Sequence, residues 1–181
     1  MLKEKAKIMD GEKLQRTTVR IAHEIAEHNA DLKSVVLVGI KTRGVPFAKR
    51  IGENLKKFYA VEVDTAELDI TLYRDDLSEL SEFPEVKETP MNVNISGRNV
   101  VLCDDVIFTG RTARAAIDAL LSKGRPKTVQ LAVVVDRGHR EFPIKPDYIG
   151  KNIPTSAQEI VSVKFEETDG IDGVEILENL D

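Results

Sequence analysis

An α/β fold built on a parallel central sheet is what this sequence predicts, and three observations carry it. Continuous apolar runs at Val35–Ile40 and 100–103, and the largely apolar stretch 128–135, have the character of strands buried on both faces. The first two runs each lead through a glycine-containing turn into an amphipathic helix, the order that builds a parallel sheet. The 181 residues, 41% hydrophobic and 31% charged, suit one domain with a sizeable core, so residues 1–181 are read as a single unit.

Met1 to Asp10 alternates charged with apolar residues and has no signal-peptide core. Asp10 can cap a helix over residues 11–29, on which Leu14, Thr18, Ile21, Ala22 and Ile25 share one face. Lys13, Arg16, Arg20 and His23 fall nearly opposite, a stripe that by itself suits a solvated face as well as an anionic partner. After the first strand, Gly39-Ile40-Lys41-Thr42-Arg43-Gly44 turns into a helix reaching about residue 58. A lysine and an arginine around Thr42, between two glycines, suit an anion, although a plain βα loop with solvated charges looks the same.

Residues 61–73 alternate, with Val61 and Val63 in one phase and Ala66, Leu68, Ile70 and Leu72 in the other. That change predicts a bulge, or two strands, near Asp64-Thr65. Periodicity fails over residues 74–97, which are crowded with carboxylates and contain Pro84 and Pro90; so long an irregular stretch predicts a functional or mobile loop. A helix over residues 112–123 then buries Ala115, Ala116, Ile117, Ala119, Leu120 and Leu121, and Gly124 ends it. Asp136-Arg137-Gly138-His139-Arg140 leaves the 128–135 strand, a Gly- and Pro-rich segment runs to Pro154, and residues 160–165 and 174–177 read as strands.

The chemistry concentrates after Val100-Val101-Leu102-Cys103. Asp104-Asp105 comes first, then Val106-Ile107-Phe108-Thr109-Gly110-Arg111-Thr112 at the entry to a helix. Gly110, two hydroxyls and the first helical N–H groups suit a phosphate. Two adjacent carboxylates suit a polyol or a metal instead, so the stretch as a whole asks for a phosphorylated sugar. It resembles the phosphoribosyl-pyrophosphate (PRPP) signature of the type I phosphoribosyltransferases. The resemblance implies a parallel central sheet flanked by helices, a small hood over residues 137–165 and a flexible loop over 74–97. It also implies PRPP as substrate and Mg²⁺, held through substrate and water near Asp104 and Asp105. Pyrophosphate would lie at Lys41, Thr42 and Arg43, with Arg74 from the loop. Ribose would lie at Asp104 and Asp105, the 5′-phosphate at 106–112, and the base at Asp136 and Arg137, with Tyr148 stacking and Ile149 offering backbone groups. Lys41, Thr42 and Arg43, the Asp pair, and Asp136 with Arg137 all follow or end predicted strands, where α/β sheets gather ligands.

Purine enzymes of the superfamily carry a carboxylate where this chain has Phe108, and often a lysine where it has Asp136. Both departures point to a pyrimidine. The stretches 38–44, 69–77, 136–141 and 148–154 resemble the PyrR family, which binds pyrimidine-operon leader RNA in response to uridine nucleotides; many of its members also make UMP from uracil and PRPP. The resemblance implies a homo-oligomer, UMP or UTP as effectors, and RNA contacts at Arg20, His23, His139, Arg140, Lys145 and Lys151. A dedicated uracil-salvage enzyme without RNA binding, and a purine enzyme of the same fold, are the alternatives.

The net charge of −5 gives no global affinity for nucleic acid, so an RNA footprint must come from local clustering. Cys103 is the single cysteine, which excludes an internal disulfide and makes a cytoplasmic location the expectation. No apolar run approaches the roughly 20 residues of a membrane span.

Overall fold

The computed structural model describes residues 2–73 and 91–179. In chain order the elements are Leu2–Met9 (β1), Gly11–His28 (α1), Val35–Ile40 (β2), Gly44–Tyr59 (α2), Asp64–Leu68 (β3), Asn99–Ile107 (β4), Arg111–Lys123 (α3), Thr128–Asp136 (β5), Tyr148–Asn152 (β6), Ile160–Lys164 (β7), Glu166–Asp169 (α4) and Gly173–Asn179 (β8). The central sheet has the order β3-β2-β4-β5-β6 with every pairing parallel. Its inner strands β2, β4 and β5 are mostly buried on both faces because helices cover both, and each face has its own core. On one, Val35, Leu37, Val101, Ala132 and Val134 pack under α1 and α2. On the other, Val36, Val38, Val100, Leu102 and Val133 pack with the alanine-rich side of α3.

Helix α1 forms as its pattern predicts. Asp10 accepts a hydrogen bond from the Lys13 N–H at 2.8 Å, and Leu14, Thr18, Ile21, Ala22 and Ile25 are the buried residues. Helix α3 buries Ala115, Ala116, Ala119 and Leu120, but Leu121 is 53% exposed and does not belong to the core side.

Three expectations are corrected, and one falls outside the described residues. Residues 61–70 contain one strand and no bulge. Val61 and Val63 face the α1/α2 core while Ala66, Leu68 and Ile70 face the α3 core, so the apparent phase change is apolar content passing from one covered face to the other. Residues 91–97 are packed rather than loop-like: Ile95 is 1% exposed, and Met91 and Val93 lie against the α3-side core. Arg74 and the rest of the expected loop, up to residue 90, lie outside the described residues. Of the segment 137–165 expected as a hood, β6 extends the central sheet, and only β7 joins the separate antiparallel sheet β1-β8-β7, hereafter the hood, with Leu2–Met9 and Gly173–Asn179.

The hood is fastened to α2 by charge. Arg50 donates to Glu167 at 2.8 and 2.5 Å and to Asp172 at 2.8 and 2.7 Å, and its guanidinium lies 5.1 Å from the Phe165 ring centroid. Burial alone would favour the neutral guanidine; the two carboxylates outweigh it and hold Arg50 firmly charged. Among the described residues no helix is long and apolar enough to cross a membrane.

Candidate active site

Two adjoining hollows open at the carboxyl ends of β2, β4 and β5. One, of about 400 Å³, is lined by Asp104, residues 106–113, Leu131, Val133 and Glu141. The other, of about 410 Å³, is lined by residues 41–43, Asp69, Ile70, Thr71, Asp104, Asp105, Val106 and Thr112. They share Asp104, Val106 and Thr112, so the sequence-predicted pyrophosphate loop and phosphate turn meet over the acid pair.

Local packing fixes both loops. A Cβ on Gly44 would stand 2.2 Å from the Cys103 carbonyl oxygen, so only glycine lets the loop after β2 lie against β4. The Lys41–Thr42 peptide bond is cis. Gly110 sits at φ +90°, a left-handed conformation that opens α3 with its N-terminus toward the first hollow.

Strand β4 runs on through Ile107, so the two aspartates lie within its last residues rather than beyond it. Asp104 accepts from the Asp105 N–H at 2.9 Å, and Asp105 from the Val106 N–H at 2.8 Å. Burial pushes the Asp104 carboxyl well above the usual range, and the Asp105 charge adds to it. Burial also pushes the Cys103 thiol up, so it stays protonated and is no nucleophile.

Across the second hollow Lys41 forms no ion pair among the described residues. Arg43 is held by the Asp169 carboxylate in a two-pronged pair of 3.1 and 2.7 Å, which raises its pKa. Asp169 belongs to α4, so the hood orients the loop after β2. Asp69 accepts from the Thr71 N–H at 3.0 Å and hydroxyl at 2.6 Å, and these bonds hold its carboxyl below the usual range. Asp69, Thr71 and Glu141 line the hollows without having been singled out for a role. Asp69 and Thr71 stand in one of the motif stretches, which is where a signal existed; no sequence signal marks Asp169 as the partner of Arg43.

Segment 137–144 forms the back of the phosphate turn. The Thr109 carbonyl accepts from the N–H groups of Glu141 at 2.8 Å and Phe142 at 3.1 Å, and the Ile107 carbonyl accepts from Arg137 at 3.1 Å. Arg111 pairs with Glu141 at 2.7 Å. The Arg137 guanidinium stacks 4.0 Å from the Phe108 ring centroid and donates to Thr155 and Ser156; burial lowers its pKa. Asp136 accepts from Arg140 at 2.6 Å and from the Gly138 N–H at 3.0 Å.

Tyr148 is corrected as a stacking residue. It is 3% exposed and its hydroxyl donates to Gln130 at 2.6 Å, within a buried network that includes Asn29. Its parity along β6 turns it toward α1, and burial pushes its pKa up to about 12. The Ile149 carbonyl accepts from Arg20 at 3.1 Å.

The expected RNA residues divide. Arg140 is not a free surface cation, because its guanidinium donates to Asp136, to the Phe108 carbonyl at 2.9 Å and to the Ile144 carbonyl at 2.8 Å. Arg20 pairs with Glu24 and donates to the carbonyls of Ile149 and, at 2.7 Å, Gly150, covering the open edge of β6. His139 Nε2 lies 2.6 Å from the Thr155 carbonyl oxygen. His23 Nδ1 and the Tyr59 hydroxyl are 2.8 Å apart. Lys145 and Lys151 have no carboxylate partner among the described residues.

Residues 6–168 match the family model described as a phosphoribosyl transferase domain. A "Bifunctional protein PyrR" of Clostridioides difficile (strain 630) is 54% identical over 175 residues, 97% of this chain and 99% of that one. A protein of the same name from Thermoanaerobacter sp. (strain X514) is 55% identical over 177 residues, covering 98% and 99%. The chain belongs to the PyrR family. Among solved structures, a hypoxanthine phosphoribosyltransferase of Trypanosoma cruzi shares the fold at TM-score 0.76 and 17% identity, covering 97% of this chain and 96% of that one. A hypoxanthine-guanine phosphoribosyltransferase of Bacillus anthracis does so at 0.74 and 19%, covering 98% and 99%. At those identities the PyrR chain shares with them the type I fold and nothing finer.

Proposed function

We propose that this chain transfers the phosphoribosyl group of PRPP to uracil, giving UMP and pyrophosphate, and that it binds pyrimidine-operon leader RNA when a uridine nucleotide is bound. One observation carries the enzymatic half: Asp104 lies where the two hollows meet, with Asp105 beside it in the second. A sugar bridging the hollows would place its 5′-phosphate at the Gly110 turn and its diphosphate at Lys41, Thr42 and Arg43, with the anomeric carbon between.

Displacement of pyrophosphate leaves positive charge on the ribose ring, as in glycoside cleavage. Asp104 and Asp105 hold the ribose hydroxyls and offset that charge. Lys41 balances charge on the leaving diphosphate; Arg43, anchored by Asp169, is held ready to do the same. No group of three or more metal-ligating side chains occurs among the described residues, so these residues offer no complete cage. The acid pair, with Asp104 pressed toward its neutral form, nonetheless suits a cation that arrives with the substrate. Mg²⁺ carried on PRPP, near Asp104 and Asp105, would neutralise the leaving group when bound. For the base, Phe108 and Asp136 replace the groups that the resemblance associates with purines. The Tyr148 ring is engaged elsewhere, and Asp136 and Arg137 are themselves held by Arg140, Thr155 and Ser156, so Phe108 is the expected base-side residue that lines the first hollow.

The regulatory half draws on cations at the α1/β6 face, Lys151 and Lys145 among them. The same family reading implies a homo-oligomer, which sedimentation measures directly. The enzyme assay is UMP synthesis from uracil and PRPP with Mg²⁺; faster turnover of hypoxanthine or guanine would overturn the base assignment. Binding of the operon leader at low salt with UMP present tests the regulator, and its absence would leave a uracil-salvage enzyme.

A further inference from the structure

We propose that Phe58 and Tyr59, gathered by His23, form a stacking platform for unpaired bases of RNA. The inference rests on the RNA half of the function above and adds a contact to it. Along α2 the buried positions Phe47, Ile51 and Leu55 continue one turn further to Phe58 and Tyr59, beyond the end of the core. There Phe58 is 46% and Tyr59 38% exposed. The His23 ring meets both, at centroid distances of 4.9 Å and 5.6 Å. Three rings from two helices thus share one surface patch. Isolated exposed apolar side chains need no explanation, but clustered rings at a helix end do.

The cations around the patch are of two kinds: Arg16 and Arg20 are paired with Glu12 and Glu24, and others are not. His23 continues the α1 stripe of Arg16 and Arg20, and Arg20 reaches the β6 edge beside Lys151. On the other side Lys57 places its ammonium 5.3 Å from the Phe58 ring centroid. Neither Lys57 nor Lys13 has a carboxylate partner among the described residues. Rings to take a base, with cations beside them to take its phosphate, are the pairing that single-stranded nucleic acid requires. A second copy of the chain is the competing occupant, and the oligomeric state of the variants reads it out.

The test uses a single-stranded RNA oligonucleotide, the duplex of the same length, and the operon leader transcript. Phe58→Ala and Tyr59→Ala should each weaken single-strand binding roughly tenfold. Duplex affinity, UMP synthesis and the salt slope should not change, since no cation is lost. Phe58→Leu, which keeps bulk without a ring, should behave like Phe58→Ala. The chain has no tryptophan, so Phe58→Trp supplies a single reporter whose emission should be quenched by the single strand. Unchanged single-strand affinity in the Phe58→Ala/Tyr59→Ala double variant, with wild type binding normally, overturns the platform and leaves the regulator intact. Wild type that binds none of the three RNAs overturns both, with UMP synthesis still standing. An oligomer that dissociates on Phe58→Ala assigns the rings to a contact between copies and likewise overturns the proposal.

Discussion

The acid crevice and the cationic α1/β6 face are built from equally legible sequence signals, yet they fare differently. The crevice comes from short contiguous motifs at the carboxyl ends of neighbouring parallel strands. Chain order therefore fixes their meeting, and Asp104, Thr112 and residues 41–43 line connected space. The cationic face comes from side chains of α1, β6 and segment 137–145, and whether each is available depends on what lies opposite. Arg20 lies opposite a bare strand edge and Arg140 opposite Asp136, so both guanidinia are engaged within the molecule. Motifs made of backbone and neighbours survive folding as read, whereas long cationic side chains are reassigned by it.

The largest effect should separate the two regions cleanly. Asp105→Asn, and separately Asp104→Asn, should lower kcat for UMP synthesis by about 10²–10³-fold, the scale of one lost preorganised electrostatic partner. RNA affinity with UMP present should stay the same. A double variant with full turnover would remove the acid pair from the chemistry.

Arg140→Ala is expected to break the separation. It strips partners from Asp136, the Phe108 carbonyl and the Ile144 carbonyl, so urea denaturation should show a loss of about 1–3 kcal/mol. The KM for PRPP should rise, because the phosphate turn loses its backing. If only RNA binding falls, and stability and KM hold, Arg140 belongs to the face and not to the crevice.

Lys151→Ala and Lys145→Ala sharpen the other side. Each should weaken leader binding a few-fold at moderate salt and flatten log K against log[salt] by about 0.7–0.9. UMP synthesis should not respond.

The smallest effect concerns pH. Asp104 has its pKa raised in the folded state, so the fold binds that proton more tightly than the unfolded chain does. Stability from this group is therefore fully present below the unfolded value, near 4, and is lost as pH rises through the folded one. Asp104→Asn should accordingly raise Tm at pH 7, with the gain shrinking on acidification and vanishing below about pH 4. A Tm difference that does not vary with pH would show that the carboxyl is not held neutral by its surroundings.

By itself the sequence determined the parallel α/β class, because strands covered on both faces read as unbroken apolar runs and their helices as amphipathic ones. It determined the crevice for the same reason, since βα turns are local and glycines such as Gly44 and Gly110 declare where backbone must pass closely or turn left-handed. Tertiary structure alone decided the hood, whose strands β1, β7 and β8 are too short and too charged to announce their pairing and are joined from opposite ends of the chain. It alone decided that Tyr148 is core, because the parity of β6 depends on where that strand joins β5. It also chose the partners of Arg20, Arg43 and Arg140. A guanidinium on a flexible stem takes whichever carboxylate or carbonyl the fold brings within reach, and composition and spacing carry no record of that.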